Sequence, residues 1–235
     1  MLNIKHIFFR ELRSLFDSPV AYIVSVVFLG LLGWFFTSSL FLANVASLRT
    51  VFEMTPFFLL FFGPAMTMRL LSEEKKGGTL ELLVTKPIME YEIVVGKFLA
   101  AWMLFFATLL PTLVYFLTIS FLGKIDMGPI IGGYIGLMLV GGVFLSLGVL
   151  GSSITENQII AFIVSFLIVF VLFILDKILV YFPGDIATIL EYLGVDYHFS
   201  NIARGVIDTR DLVYYFSMMG LALLVGTVML EKRKW

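Results

Sequence analysis

The sequence predicts an all-α integral membrane protein with six transmembrane helices, and three observations carry that reading. Hydrophobic residues make up 60% of the 235 positions, charged residues only 14%, and the mean hydropathy is +1.03. A soluble domain of this length has too little interior to hide so much apolar surface, so lipid must cover the remainder. Six apolar segments approach or exceed the ~20 residues that a helix needs to cross ~30 Å of hydrocarbon. Lysine and arginine are shared unevenly between the segments that join them, which gives the spans a direction.

Ahead of the first span, Ile4, Ile7, Phe8, Leu12, Leu15 and Phe16 recur at helical spacing, while Lys5, Glu11 and Arg13 fall elsewhere. Residues 1–18 therefore predict an amphipathic helix lying in the membrane interface. Asp17-Ser18-Pro19 stops that helix and starts another. The apolar segment that follows is too long for the core of a cleavable signal, and no small-x-small site comes after it, so cleavage is not expected.

Spans are expected at Pro19–Leu42, Thr55–Leu71, Ile93–Leu122, Pro129–Gly151, Gln158–Phe182 and Leu212–Leu230. The second is the shortest, and its Gly63-Pro64 predicts a kink. The third is long enough to tilt or to reach beyond the membrane. Small residues mark close packing between helices in lipid. Gly132 and Gly136, Gly142 and Ser146, then Gly148 and Ser152 line the fourth span at four-residue spacing. Ile159–Leu175 holds no glycine and predicts a lipid-facing or broadly apolar surface. No connecting stretch is large enough to fold separately in water, so residues 1–235 read as a single membrane domain.

One side of the membrane receives Lys5, Arg10, Arg13, Arg69, Lys75, Lys76, Lys86, Lys97, Lys232, Arg233 and Lys234, eleven of the sixteen basic residues. The other receives Arg49, Lys124, Lys177, Arg204 and Arg210. By the positive-inside rule, both termini and the 72–92 loop are expected in the cytoplasm.

Several function classes fall away. The net charge of −1 gives no basic field for nucleic acid. The absence of cysteine excludes disulfides and thiol chemistry, and the two histidines, His6 and His198, offer little to a metal. Neither His-Glu-x-x-His, nor Gly-x-Ser-x-Gly, nor a pair of aspartates within the spans occurs, so an intramembrane enzyme is disfavoured. Ionisable residues are nearly absent from the predicted span interiors, which disfavours a proton relay. Arg69 lies four residues before Glu73, and a local pair explains it. Asp176 and Lys177 fall near the outer end of the fifth span, within reach of headgroups.

The 72–92 loop is the most informative stretch. Ser72-Glu73-Glu74-Lys75-Lys76 continues the second span, and Gly77-Gly78 ends it with residues that tolerate positive φ. Thr79 can cap a new helix with Glu81 in its first turn, and Pro87 limits it to about two turns. Leu80, Leu83 and Val84 then share one face. A helix so short is not stable alone in water, so it packs on its own chain or in a partner's groove; a solvated loop with its leucines on the membrane surface is the other reading. Between residues 183 and 211 lies the last outer loop. Asp185 can cap a helix through Leu193, closed by Gly194, and Ser200 another, closed by Gly205. Asp208, followed by Asp211, can cap the sixth span, and Arg204 and Asp208 can pair locally.

The pattern Glu74-Lys75-x-x-Gly78-Thr79-Leu80-Glu81-x-Leu83-x-x-x-Pro87 closely resembles the membrane subunits of type-2 ABC exporters. Lys124–Gly128, Glu156–Phe162 and Arg204–Asp211 look, more narrowly, like the gliding-motility-associated (Gld) permease subfamily. The resemblance implies that the short helix is a coupling helix touching a separate ATPase, with Glu74, Lys75, Gly78, Thr79, Leu80, Glu81, Leu83 and Pro87 forming the contact. It implies a homodimer or a heterodimer with a second permease, in a bacterial inner membrane. It also implies that short outer-loop helices, near Arg204 and Asp208, help form an outer gate. No Gly-x-x-x-x-Gly-Lys-Ser/Thr loop occurs in the chain, so ATP and Mg are expected on the partner ATPase, with no cofactor here. A non-transporting membrane anchor that recruits a cytoplasmic machine through the same helix is the alternative.

Overall fold

The computed structural model describes residues 2–78, 88–123, 125–175, 177–178 and 191–232. Every regular element among them is helical. The first helix, α1 (Leu2–Asp17), lays Ile7 against Gly96, where a Cβ would come within 2.8 Å of the Ile7 side chain. Only glycine allows the two helices that close. Ser18 then takes extended backbone, and Pro19 opens α2 (Pro19–Phe41) at the position where its missing N–H costs nothing. Phe28, Leu32 and Phe36 of α2 are buried at four-residue spacing, while Trp34, Val26 and Ile23 on its other side are exposed. One stripe of α2 meets the bundle; the rest faces outward.

The second span is longer than its hydropathy suggests. It comprises α3 (Arg49–Thr67), Met68 and α4 (Arg69–Lys76), together 28 residues, and starts at Arg49 rather than Thr55. Arg49 and Glu53, one turn apart at 2.7 Å, neutralise each other and let the helix begin among charged residues. The helix runs on through Gly63-Pro64, where Thr67 Oγ donates to the Gly63 carbonyl at 2.9 Å, and its regular ladder is interrupted at Met68.

The third span is α5 (Glu90–Leu109), a single 3-10 turn at Leu110–Thr112, and α6 (Leu113–Leu122). Pro111 forces the change, because it has no N–H for the α-helical ladder. The fourth, α7 (Met127–Ile154), is the axis of the fold. Its glycines receive neighbours from four helices: Phe52 at Gly133, Phe105 at Gly141, Met219 at Gly142, Thr67 at Gly148 and Ser165 at Gly151. Gly142 and Gly148 belong to the small-residue pattern read from the sequence, while Gly133, Gly141 and Gly151 add contacts that pattern did not include.

The fifth apolar helix, α8 (Gln158–Ile174), is capped by Asn157 and buries only Ala161, Ser165 and Val169, so its other faces are open, as its lack of glycine implied. The helix has 17 residues and runs to Ile174, and residues 179–182 of the expected span lie outside the described residues. At ~1.5 Å per residue those 17 residues rise ~25 Å. Among the described residues, five helices are long and apolar enough to span, with α8 a shorter sixth. After it come α9 (Val195–Ala203) and α10 (Thr209–Glu231). Ser200 lies inside α9, not at its start. Gly194 occupies the cap position, Asp196 sits in the first turn, and Gly205 follows with a φ of 89°. The helix expected between Asp185 and Leu193 falls largely outside the described residues.

Candidate functional site

The 72–92 loop leaves the bundle from α4 and returns at α5. Gly78, at a φ of 66°, turns the chain away from α4 in the left-handed region. Thr79, Leu80, Glu81, Leu83 and Pro87 lie outside the described residues, and so does the short helix expected there. What the structure gives is the pair of stems that hold this loop, and how each is fastened.

Glu74 turns inward. Its Oε1 lies 3.0 Å from Lys97 Nζ of α5 and 3.1 Å from the Arg10 guanidinium of α1. Lys97 Nζ also meets Glu11 Oε2 of α1 at 2.9 Å, and Arg10 approaches the same oxygen at 3.8 Å. Two cations and two carboxylates from three helices form a neutral cluster around Lys97, which is 1% exposed. A buried ammonium is tolerable only with its countercharges fixed beside it. Glu11, placed by the sequence pattern away from the packed face of α1, is turned onto α5 by this demand.

Lys75, 8% exposed, donates from Nζ to the Ser153 carbonyl at the end of α7, where the helix dipole favours a cation. The next residue back, Ser152, explains the break at Met68. Its hydroxyl accepts from the backbone N–H groups of Leu71 and Ser72, both at 3.0 Å, and donates to the Met68 carbonyl at 2.9 Å. A side chain of α7 thus caps α4 from outside. Arg69 pairs with Glu73 at 3.0 Å, as the spacing predicts, and donates to Ser18 Oγ at 2.8 Å, fastening α4 to the corner between α1 and α2. On the returning stem, Glu92 Oε2 accepts from the Met89 N–H at 3.1 Å and from Asn3 Nδ2 of α1 at 2.9 Å. So α1 grips both stems of the loop. Its charges are matched within the chain, which suits a joint between helices.

At the opposite end of the bundle, Arg204 and Asp208 form no ion pair with each other. Asp208 Oδ1 accepts from the Arg210 N–H at 2.9 Å, capping α10, and Arg204 ends α9. The pairing there is a different one. His198, fully buried, places Nδ1 2.6 Å from Asp211 Oδ1 and Nε2 2.9 Å from the Tyr192 carbonyl, with its ring stacked on Tyr214 at 4.0 Å. This knot ties α9 and the segment before it to the start of α10. Sequence spacing hid it, because His198 and Asp211 belong to different helices. Lys177 pairs with Asp196 and lies over the Phe173 ring.

A bundle of long apolar helices on a glycine-lined axis, with polar joints at its two ends, defines a multi-pass helical membrane protein. Residues 17–204 match the profile of the ABC-2 family transporter proteins. The chain belongs to that family, a membrane component of transport whose members normally work with an ATPase subunit. A comparison with curated proteins returned no match.

Proposed function

We propose that this chain is the membrane-spanning permease subunit of an ATP-binding-cassette exporter, driven by a separate ATPase that docks on the 72–87 loop. The observation that carries the reading, beside the family match, is the double grip of α1 on the loop stems. A load applied to the loop reaches α4 and α5, and through Ser152 and Ser153 it reaches α7. ATP and Mg belong to the partner, and two permease chains, identical or different, frame one pathway. The basic-residue asymmetry supports an arrangement with both termini and the loop on the cytoplasmic face of a bacterial inner membrane. Residues 124–128, 156–162 and 204–211 support placement near the gliding-motility-associated permeases.

The test is a pull-down of the chain in gentle detergent, with vanadate-sensitive ATPase activity measured on the captured material. Activity that is present with the parent chain and lost with Leu83→Asp is expected. Capture of no ATPase by intact, membrane-inserted chain overturns the proposal. A captured ATPase whose turnover ignores every candidate substrate favours the anchor reading instead.

A further inference from the structure

At the end of the bundle opposite the 72–92 loop, a cavity of about 990 Å³ opens between the loop joining α2 to α3, the first turns of α3 and α7, and the ends of α8 and α9. Small-molecule sites occupy ~300–1,000 Å³, so this is room for one drug-sized ligand. Its walls are aromatic and aliphatic. Phe52, Ile119 and Phe199 are buried beneath it, and Phe57 and Phe173, with ring centroids 6.4 Å apart, continue the wall toward the outside of the bundle.

Among the described lining residues, charge lies at the rim. Arg49 is paired with Glu53, and Lys177 with Asp196. Asp126 turns one oxygen to the Gly128 N–H at 3.2 Å. Arg204 lines the cavity and has no carboxylate partner among the described residues. A purely apolar ligand makes no use of that guanidinium, which stands exposed at the rim. A small free anion leaves the phenylalanine wall uncovered. A molecule with an anionic head and one apolar tail satisfies both.

We propose that this cavity binds a single-chain anionic amphiphile, with its head on Arg204 and its tail along Phe52, Phe57 and Phe173. Occupancy does not depend on the ATPase pairing proposed above, because every group that forms the site belongs to this chain. Arg204 acts here as a head-group anchor, which is a different role from a local pair with Asp208.

The experiment uses the full chain in phosphatidylcholine nanodiscs and a diazirine-bearing palmitate, with crosslinks mapped by peptide mass spectrometry. Saturable labelling around Phe52–Phe57 and Phe173 is expected, competed by unlabelled palmitate. The matching diazirine hexadecanol half-saturates at about tenfold higher concentration, the equivalent of one lost charge-assisted hydrogen bond. Arg204→Gln raises the palmitate half-saturation about tenfold and leaves the alcohol unchanged. Ala46→Trp, which narrows the mouth, weakens both probes. Arg210→Gln, at the same end but outside the cavity, changes neither. Labelling that does not saturate, or that treats acid and alcohol alike in the parent chain, reports surrounding lipid only and overturns the proposal.

Discussion

Replacing Lys97 by methionine removes the hub of the cluster that fastens α1 to the loop stems. The ammonium is 1% exposed, and its carboxylate partners, Glu11 and Glu74, are 13% and 19% exposed. Removing one partner from a buried ion pair costs about 3–5 kcal/mol. Arg10 remains beside both carboxylates, at 3.1 and 3.8 Å, and offsets part of the loss. The expected destabilisation of the α1 seat is therefore about 2–3 kcal/mol, a roughly 30- to 150-fold rise in its open population. The chain has no cysteine, so Ile7→Cys introduces a single thiol at a site now 5% exposed against Gly96. Maleimide labelling of that thiol in membranes reads the opening directly. In the Lys97→Met background the rate rises by the factor above. Adding Glu11→Met returns it to within about threefold of the parent, because an apolar pair replaces the ionic one and Arg10 still meets Glu74. Labelling of Lys97→Met within twofold of the parent refutes the assignment of the cluster as the fastening of α1.

Two further outcomes rest on single buried groups. Ser152→Ala leaves the Leu71 and Ser72 N–H groups without their acceptor, so hydrogen exchange at those two amides accelerates by on the order of tenfold or more; Ser153→Ala, whose hydroxyl bonds only within its own helix, leaves them protected. His198→Phe strands the Asp211 carboxylate, 3% exposed, and lowers thermal stability by about 3–5 kcal/mol. The double variant His198→Phe/Asp211→Leu recovers most of the loss in the same detergent melt; equal melting of the single and double variants refutes the pairing.

How far the sequence could be read follows from what each signal depends on. Hydropathy is a sum over consecutive residues, and it located all six apolar helices. Its errors lie where other forces act. Arg49 and Glu53 lower the local hydropathy yet neutralise each other one turn apart, so α3 starts earlier than an apolar count allows. The interruption at Met68 has no local signal, because the acceptor there is a hydroxyl from a distant helix, Ser152. Glycine spacing on α7 was legible since close packing needs small side chains at a regular interval. Long-range polar pairs were not. Nothing in the order of residues says that Glu11 meets Lys97 or that His198 meets Asp211, although a lysine at the start of an apolar span is itself a signal that a countercharge must arrive from elsewhere.

The two ends of the molecule are joined by parts with little slack. At one end, α7 supplies Ser152 and Ser153 to α4, the helix from which the 72–92 loop departs. At the other, Gly132 of the same helix lies against the Ile202 carbonyl of α9, and Gly136 lies against the Phe199 ring, which lines the cavity at that end. A Cβ at either glycine collides with α9: at Gly132 with the Ile202 backbone, where the two helices meet with no side chain between them, and at Gly136 with the Phe199 ring. The chain thus places its polar fastenings where helices must be held in register and its glycines where they must touch. Displacement of α4 along its axis therefore acts on α7 through hydrogen bonds, and displacement of α7 acts on the cavity wall through direct packing. The same helix, α7, thus touches both the stem of the 72–92 loop and the wall of the cavity at the opposite end.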